Sequence, residues 1–524
     1  MIVKRSLHAL RLMGASLLLM SATLSATHAQ APADYGKTHE LVVALPYALQ
    51  TLDPAVGGNL RGDLSIIASI YSPLTRLDGE GKLVGVLAKD WKQESDTRWV
   101  FDLRDDVVFS NNVPFDAHVV KWNIERILSS EKPSWIVSSM KAVDKVEVLS
   151  PHQVAFTLKA PDIEFPKRLA GIFYLEPEWA KSHNPAIEAL GTGPYKLAEF
   201  KAGDYLHLTR YDQYASRTEA ASGLSGQKKA DVKDIWFRYI TDESTRLAGA
   251  MTGEYDLVFQ LPKDNIDTLA SAPDISLFQP QSGGSLITYL FNKNQGPFAN
   301  VKLRQAFNLA LDVHQTLLAG YSDPRFFKEG PSLGFPDQVD WYSDAGKPYW
   351  NQHKLDEARK LVQESGYKGE EVVIIATKEY AELYNLAIVA QQVLKQIGVK
   401  SRLDVYDWPT VLQRRQDPKN FDLCALEFTM RQVLHQYPFL DSRAKFPGLS
   451  DSPEIDGVLD AIKQAATLKE TRPLVDKLNV LLWQYLPVIV LGRTTPDAVA
   501  IKNNVNGYQD LSGPILWNLS VTQP

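Results

Sequence analysis

The sequence predicts an α/β protein of more than one domain. Three observations predict it. About 495 residues follow an N-terminal leader, too many for a single hydrophobic core. From residue 355 to 428, strand-length apolar runs alternate with helical periodicity, the pattern of layered α/β folds. Residues 285–314 form a cleanly punctuated strand–turn–helix. An apolar strand ends at Asn292-Lys293-Asn294, Gly296-Pro297 turns the chain, and a helix follows with apolar Val301, Ala306, Leu309 and Ala310.

The elements read in order. Glu40–Pro46 is a buried strand, and Gln50–Pro54 turns into the loop Gly57-Gly58-Asn59. Asp63–Tyr71 is helical, and Arg76–Lys82 is a hairpin around Asp78-Gly79. Trp99–Leu103 alternates as a strand. Asp116 caps a helix to Leu128 with Val119, Val120, Trp122 and Ile127 on its apolar face. Val146–Leu158 is two strands broken at Ser150-Pro151. Gly191-Thr192-Gly193-Pro194-Tyr195 forces a sharp crossing before strands at Lys196–Phe200 and Tyr205–Arg210. The Ser/Gly/Lys-rich segment Ser216–Asp231 reads as an exposed loop. A strand at Asp234–Ile240, a helix Asp242–Met251 closing at Gly253, and a short strand Asp256–Phe259 follow. Beyond residue 285, helices are expected at Leu355–Ser365, Leu383–Ile397 and Pro409–Arg415. Strands are expected at Glu371–Thr377, Val399–Tyr406 and Phe421–Phe428. The tail at Val488–Gly492 and Ala498–Ile501 is expected to return to the first domain.

The N-terminus has the anatomy of a secretory signal. Lys4, Arg5 and Arg11 precede an apolar run from Leu12 to Leu24, too short to span a bilayer. Thr27 and Ala29 then frame a cut before Gln30. The one cysteine, Cys424, excludes an intrachain disulfide and leaves no lipid-attachment cysteine near the cut. Formal charge is −6, and about −9 without the leader, with acidic and basic residues interspersed. This excludes the basic footprint of a nucleic-acid binder. Metalloprotease, P-loop, nucleophile-elbow and dinucleotide motifs are absent, and the 10 histidines show no metal-ligand spacing. The reading is therefore a binding protein rather than an enzyme, with no cofactor and no metal.

The chain resembles the family 5 extracytoplasmic solute-binding proteins, the peptide, nickel and opine receptors of bacterial ABC importers. The resemblance rests on ordered landmarks: Leu52-Asp53-Pro54, Tyr71-Ser72-Pro73-Leu74, Leu87-Ala88-Lys89-Asp90-Trp91, the run Phe101–Phe109, Pro114–Val120, Glu125-Arg126, Gly191–Tyr195 and residues 285–314. It implies a bilobal, periplasmic-binding-protein-like fold with discontinuous domains and an extra domain (cluster C type). The expected division is a signal peptide (1–29), domain I (30–67, 188–275 and 493–524), domain II (68–187) and domain III (276–492). It also implies a periplasmic monomer that meets the membrane only through ABC permease and ATPase subunits.

The resemblance places the ligand in a cleft lined by the loop near Gly57–Arg61 with Asn59, by Gly284 and Ser285, by Thr377–Tyr380, by Trp408, and by the residues after Phe428. Where peptide-binding relatives hold an aspartate against the ligand's ammonium group, this chain has Arg431. A planar guanidinium there favours a carboxylate or phosphate, pointing to an opine or sugar-phosphate ligand. The alternative is a surface or ion-paired arginine. Ser285 and Thr429 are expected to hydrogen-bond the ligand, and Trp408, Tyr380 and Tyr437 to stack on it or else pack in the core. Glu427 offers a negative charge that keeps a di- or oligopeptide ligand open. His435 is a thin candidate for a nickel chelate.

Overall fold

The most family-like stretch of the chain is structural. In the computed structural model, strand Ser285–Phe291 is buried on both faces. Its polar exit holds main-chain carbonyls that would otherwise be orphaned. Asn292 Nδ2 donates to Phe421 O at 2.9 Å and Pro418 O at 2.6 Å, and Lys293 Nζ donates to Phe291 O at 2.8 Å and Pro487 O at 3.0 Å. Asn300 caps the following helix, Val301–Ala310, by accepting from Lys302 N at 2.9 Å. The structure describes residues 40–56, 61–130, 135–261, 263–280, 283–336, 338–431, 433–465, 467–511 and 513–522. The leader with its cut, and the loop 57–60 with Asn59, lie outside the described residues.

Three main sheets organise the body, each with its own apolar core. A seven-stranded mixed sheet runs in the order Ile275–Phe278, Val499–Lys502, Leu257–Val258, Glu40–Leu45, Asp234–Tyr239, Tyr205–Arg210, Tyr195–Lys201. Its core includes Leu41, Ile66, Phe237 and Trp517. A four-stranded antiparallel sheet (Ala88–Ser95, Arg98–Leu103, Gln153–Leu158, Val143–Ser150) packs against helix Ala117–Leu128 around Phe101, Ile124 and Phe156. The third sheet has six strands in the order Phe327–Glu329, Val488–Thr494, Ser285–Phe291, Leu423–Thr429, Val372–Ala376, Ser401–Val405. Its large core takes in helices Val313–Tyr321 and Ala381–Gln396. Cys424 is free and buried there. Among the described residues, no helix is long and apolar enough to cross a membrane.

The landmarks acquire physical reasons. An added Cβ at Gly191 would lie 2.1 Å from Ile70 O, and one at Gly193 2.3 Å from Ser69 O, so only glycine lets this crossing lie on the end of helix Arg61–Ile70. Arg126 pairs with Asp53, tying two landmarks together. Asp116 caps its helix by accepting from His118 N at 2.9 Å and Val119 N at 3.1 Å. Asp116→Ala is expected to cost about 1 kcal/mol, read as a lower midpoint in urea unfolding.

Some expectations are corrected. Strand Val488–Thr494 does not return to the first sheet. It pairs with Ser285–Phe291 in the six-stranded sheet, and only Val499–Lys502 joins the seven-stranded one. The segment Ser216–Asp231 is not simply exposed. Leu224, Ser225 and Lys228 are buried, because Lys228 lies on Trp517 and Arg217 reaches Val86 O and Ala88 O. Trp122 is half-buried and packs on the seven-stranded core, while Ile124 fills the core of its own unit.

Candidate functional site

Three strands of the six-stranded sheet end at one edge. Val372–Ala376 runs parallel to both Ser401–Val405 and Leu423–Thr429. The segments after them, 377–380, Trp408 and 429–431, therefore gather on the carboxyl edge, where open α/β sheets bind ligands. Ser285 starts the central antiparallel strand at this edge, directly opposite Thr429. Strand Val488–Thr494 finishes here too, since Ser285 N donates to Thr494 Oγ1 at 2.9 Å.

Among the described strands, two segments carry the chain between the six-stranded and seven-stranded units: the one after Phe278 and the one after Thr494. They touch, with Gln279 Nε2 donating to Pro496 O at 2.6 Å. Gly284 and Ser285 thus stand where two adjacent crossings leave one unit for the other, the geometry of a two-stranded hinge.

The sheet edge brings Gly284, Ser285, Thr429 and Arg431 together. Gly284 O accepts from Met430 N at 3.0 Å, placing Arg431 next to the pair. Thr429 is exposed and Ser285 half-buried, so their hydroxyls are available on a common face. Arg431 is half-buried; its Nε has no acceptor, and no carboxylate pairs with it, among the described residues. Burial pushes its guanidinium below the ordinary arginine value, although an arginine stays charged at any working pH. The loop residue Gln338 donates its Nε2 to Arg431 O while its Oε1 accepts from Phe335 N at 3.0 Å.

Tyr380 and Trp408 form a second cluster on the same edge. Their rings meet edge to face at 5.1 Å, and Trp408 N donates to Glu379 Oε1 at 3.2 Å. Asp407 caps helix Trp408–Arg414 and so fixes where the indole emerges. Tyr380 is 46% exposed, while Trp408 is half-buried against the core.

Glu427 is exposed on the same strand as Thr429. Its carboxylate accepts from Tyr321 Oη at 2.6 Å, beside the ion pair of Lys263 and Glu382. Burial of the carboxyl pushes its pKa up, a push limited by the open surface of the residue. Lys263 and Tyr321 line a cavity of about 320 Å³ with Glu382, Arg325 and Asn385. Tyr437 takes the second of its two expected places, the core. It is fully buried and stacked on Phe439 at 5.4 Å, so its ring belongs to the core and not to a ligand. Asn59 and the side chain of His435 lie outside the described residues. No group of three or more His, Cys, Asp or Glu able to hold a metal occurs among the described residues.

Sequence reading missed Thr494, Gln338 and Tyr321. Each arrives from a segment distant in sequence, and no local periodicity or motif marks them.

A protein-family model described as bacterial extracellular solute-binding proteins, family 5 Middle, matches residues 82–443. The "Probable peptide ABC transporter periplasmic-binding protein" of Sinorhizobium fredii is 25% identical over 476 residues, covering 86% of this chain and 88% of that protein. The glutathione-binding protein GsiB of Salmonella typhimurium is 28% identical over 379 residues, 70% of each chain. Among solved structures, the periplasmic binding protein AgaA of A. tumefaciens R10 in complex with agropinic acid superposes with a TM-score of 0.73. It has 21% identity over 93% of this chain and 99% of that one. CtaP of Listeria monocytogenes, an ABC transporter substrate-binding protein, gives 0.78 at 21% identity over 92% and 99%. At these identities the structural likeness is one of fold: a bilobal, mixed α/β periplasmic-binding-protein architecture.

Proposed function

This chain belongs to the bacterial extracellular solute-binding proteins of family 5, and on that premise we propose that it captures a small polar, anionic ligand for an ABC importer. Family 5 receptors bind small molecules and work with ABC permease and ATPase subunits. The finer reading is a ligand of opine or sugar-phosphate type, gripped at the carboxyl edge of the six-stranded sheet as the two lobes close. No covalent chemistry is involved. The observation that carries it is Arg431: a half-buried guanidinium at the ligand edge, with no carboxylate partner among the described residues. A desolvated cation of this kind is stabilised by an incoming carboxylate or phosphate and repels an ammonium group. Ser285 and Thr429 would hydrogen-bond the same ligand. The Tyr380–Trp408 pair offers a ring or peptide plane an aromatic edge.

The same reading assigns residues 1–29 as a cleaved signal and places the mature chain in the periplasm as a monomer. It divides the chain into domain I (30–67, 188–275, 493–524), domain II (68–187) and domain III (276–492). The presence of three separate cores supports such a division.

A second reading, a di- or oligopeptide receptor, is favoured by Glu427, a carboxylate two residues from Thr429 on the same strand. Glutathione-type peptides would satisfy both readings, since they carry two carboxylates as well as an ammonium.

The test is a thermal-shift panel on residues 30–524 with agropinic acid, a sugar phosphate, glutathione, the dipeptide Met-Leu and nickel–histidine. A ligand at 100 times its dissociation constant adds about 2.7 kcal/mol to stability. Stabilisation by an anionic member, weakened at least about ten-fold in affinity by Arg431→Ala, is the expected result. Stabilisation by Met-Leu that is indifferent to Arg431→Ala would overturn the anionic reading and leave a peptide receptor.

A further inference from the structure

We propose that the turn 338–342 couples closing of the lobes to the ligand edge, with Lys167 docking into it and Gln338 positioning Arg431. The consequence for ligand capture rests on the Arg431 reading above; the mechanical coupling does not.

Lys167 belongs to helix Phe165–Arg168, whose neighbours Phe165 and Leu169 sit in the four-stranded core. Among the described residues, the chain leaves that unit toward the seven-stranded one. Pro73 bridges Phe173, and Gly191 and Gly193 lie against Ser69 and Ile70. No described segment runs directly from it to the six-stranded unit. Yet Lys167 crosses to that unit: its ammonium pairs with Asp340 and stands 5.0 Å over the ring of Trp341. Ile163 N reinforces the contact by donating to Lys463 O at 3.1 Å. These contacts are non-covalent and join lobes that the described chain links covalently at the hinge, so opening the lobes must break them.

The Lys167 side chain is 7% exposed in this arrangement. An ammonium taken that far out of water is stabilised only if its partner is well placed, and removing one member leaves the other uncompensated. Trp341 adds a cation–π face and is itself 1% exposed, anchored in the core of its own lobe. The socket is therefore rigid on one side and detachable on the other.

The same turn reaches the ligand edge. Trp341 N and Tyr342 N both donate to Gln338 O, at 2.8 and 2.9 Å, so residues 338–342 form one hydrogen-bonded turn. The Gln338 side chain then holds Arg431 O and Phe335 N together. Docking at 340–341 and support of Arg431 at 338 are two residues apart on a single turn. Seating Lys167 holds Gln338, and Gln338 holds the carbonyl of Arg431.

The experiment is hydrogen exchange on the full chain, comparing the native sequence with Lys167→Met, Asp340→Asn and Gln338→Ala. The informative amides are Trp341, Tyr342 and Met430, each hydrogen-bonded in the structure. Lys167→Met and Asp340→Asn are each expected to accelerate all three by about ten-fold, with the four-stranded sheet unchanged as a control for folding. Gln338→Ala is expected to accelerate Met430 alone, and adding Lys167→Met to it should then leave Met430 where it is. Acceleration confined to 163–169 and 338–342, or none at all, would overturn the coupling. Dissociation of agropinic acid and of glutathione provides a separate arm, expected to quicken about ten-fold in Lys167→Met. If a probe binds and is indifferent to Arg431→Ala, the Arg431 reading falls while the exchange result stands. If a probe binds through Arg431 but Met430 does not respond to Lys167, the coupling alone falls.

Discussion

Replacing Lys228 by methionine is expected to stabilise the protein by about 2–4 kcal/mol at neutral pH, an unusual sign for a core substitution. Lys228 is 5% exposed, and its ammonium lies 4.0 Å from the ring of Trp517. Burial first, and then the nearby Arg76 guanidinium, push its pKa down to about 7. The unfolded chain holds that proton to about pH 10.5, so the unfolded state binds more protons across the whole interval. Native stability must therefore fall as pH drops from about 10.5 to about 7, and stay flat below that, where both states are charged. Methionine keeps the length of the apolar stem, removes the charge, and is insensitive to the titration. Urea unfolding at pH 6, 8 and 10 should show the variant's advantage largest at pH 6 and shrinking steadily toward pH 10. An advantage that does not vary with pH would mean that Lys228 is hydrated, and the burial argument would fail.

This lysine also shows where sequence reading stops. Residues 216–231 are rich in Ser, Gly and Lys, and local composition can only say loop. That Lys228 covers Trp517, nearly 300 positions later, is a tertiary fact without a local trace. Features written in short-range chemistry were legible. Asp116 caps its helix, Gly253 closes the helix Glu243–Thr252 with a left-handed turn, and Gly191 and Gly193 mark a close crossing. Strand positions followed from apolar runs, but strand partners did not. Val488–Thr494 is equally apolar whichever sheet it joins, and its pairing with Ser285–Phe291 is settled by packing. The candidate site divides in the same way. Ser285, Thr429, Trp408 and Arg431 lie at strand ends that the sequence marks, and the parallel pairing that gathers them is a property of the sheet. Tyr437 stays open between the two in the sequence, because an aromatic residue beside a proline looks the same in a cleft as in a core.

Gly284→Ala is expected to cost about 3 kcal/mol or more and to weaken ligand capture, because two constraints meet at this residue. Its φ is +97°, outside the range a side chain tolerates, which alone costs about 1–2 kcal/mol. An added Cβ would also stand 2.1 Å from Thr494 O, a backbone atom that cannot swing aside. Thr494 is the last residue of its strand, and its Oγ1 holds Ser285 N. Relieving the clash therefore pushes one hinge crossing away from the other and drags Ser285 and Met430 with it, since Gly284 O accepts from Met430 N. Gly366 supplies the control. Its φ is +75°, yet nothing lies within 4 Å of an added Cβ. Gly366→Ala should then cost only the backbone strain, about 1 kcal/mol, and leave binding unchanged. Urea unfolding separates the two variants, and the difference between them measures the crowding at the hinge. Equal losses would mean that the two crossings have room to spare, and that Gly284 is present for its backbone angle alone.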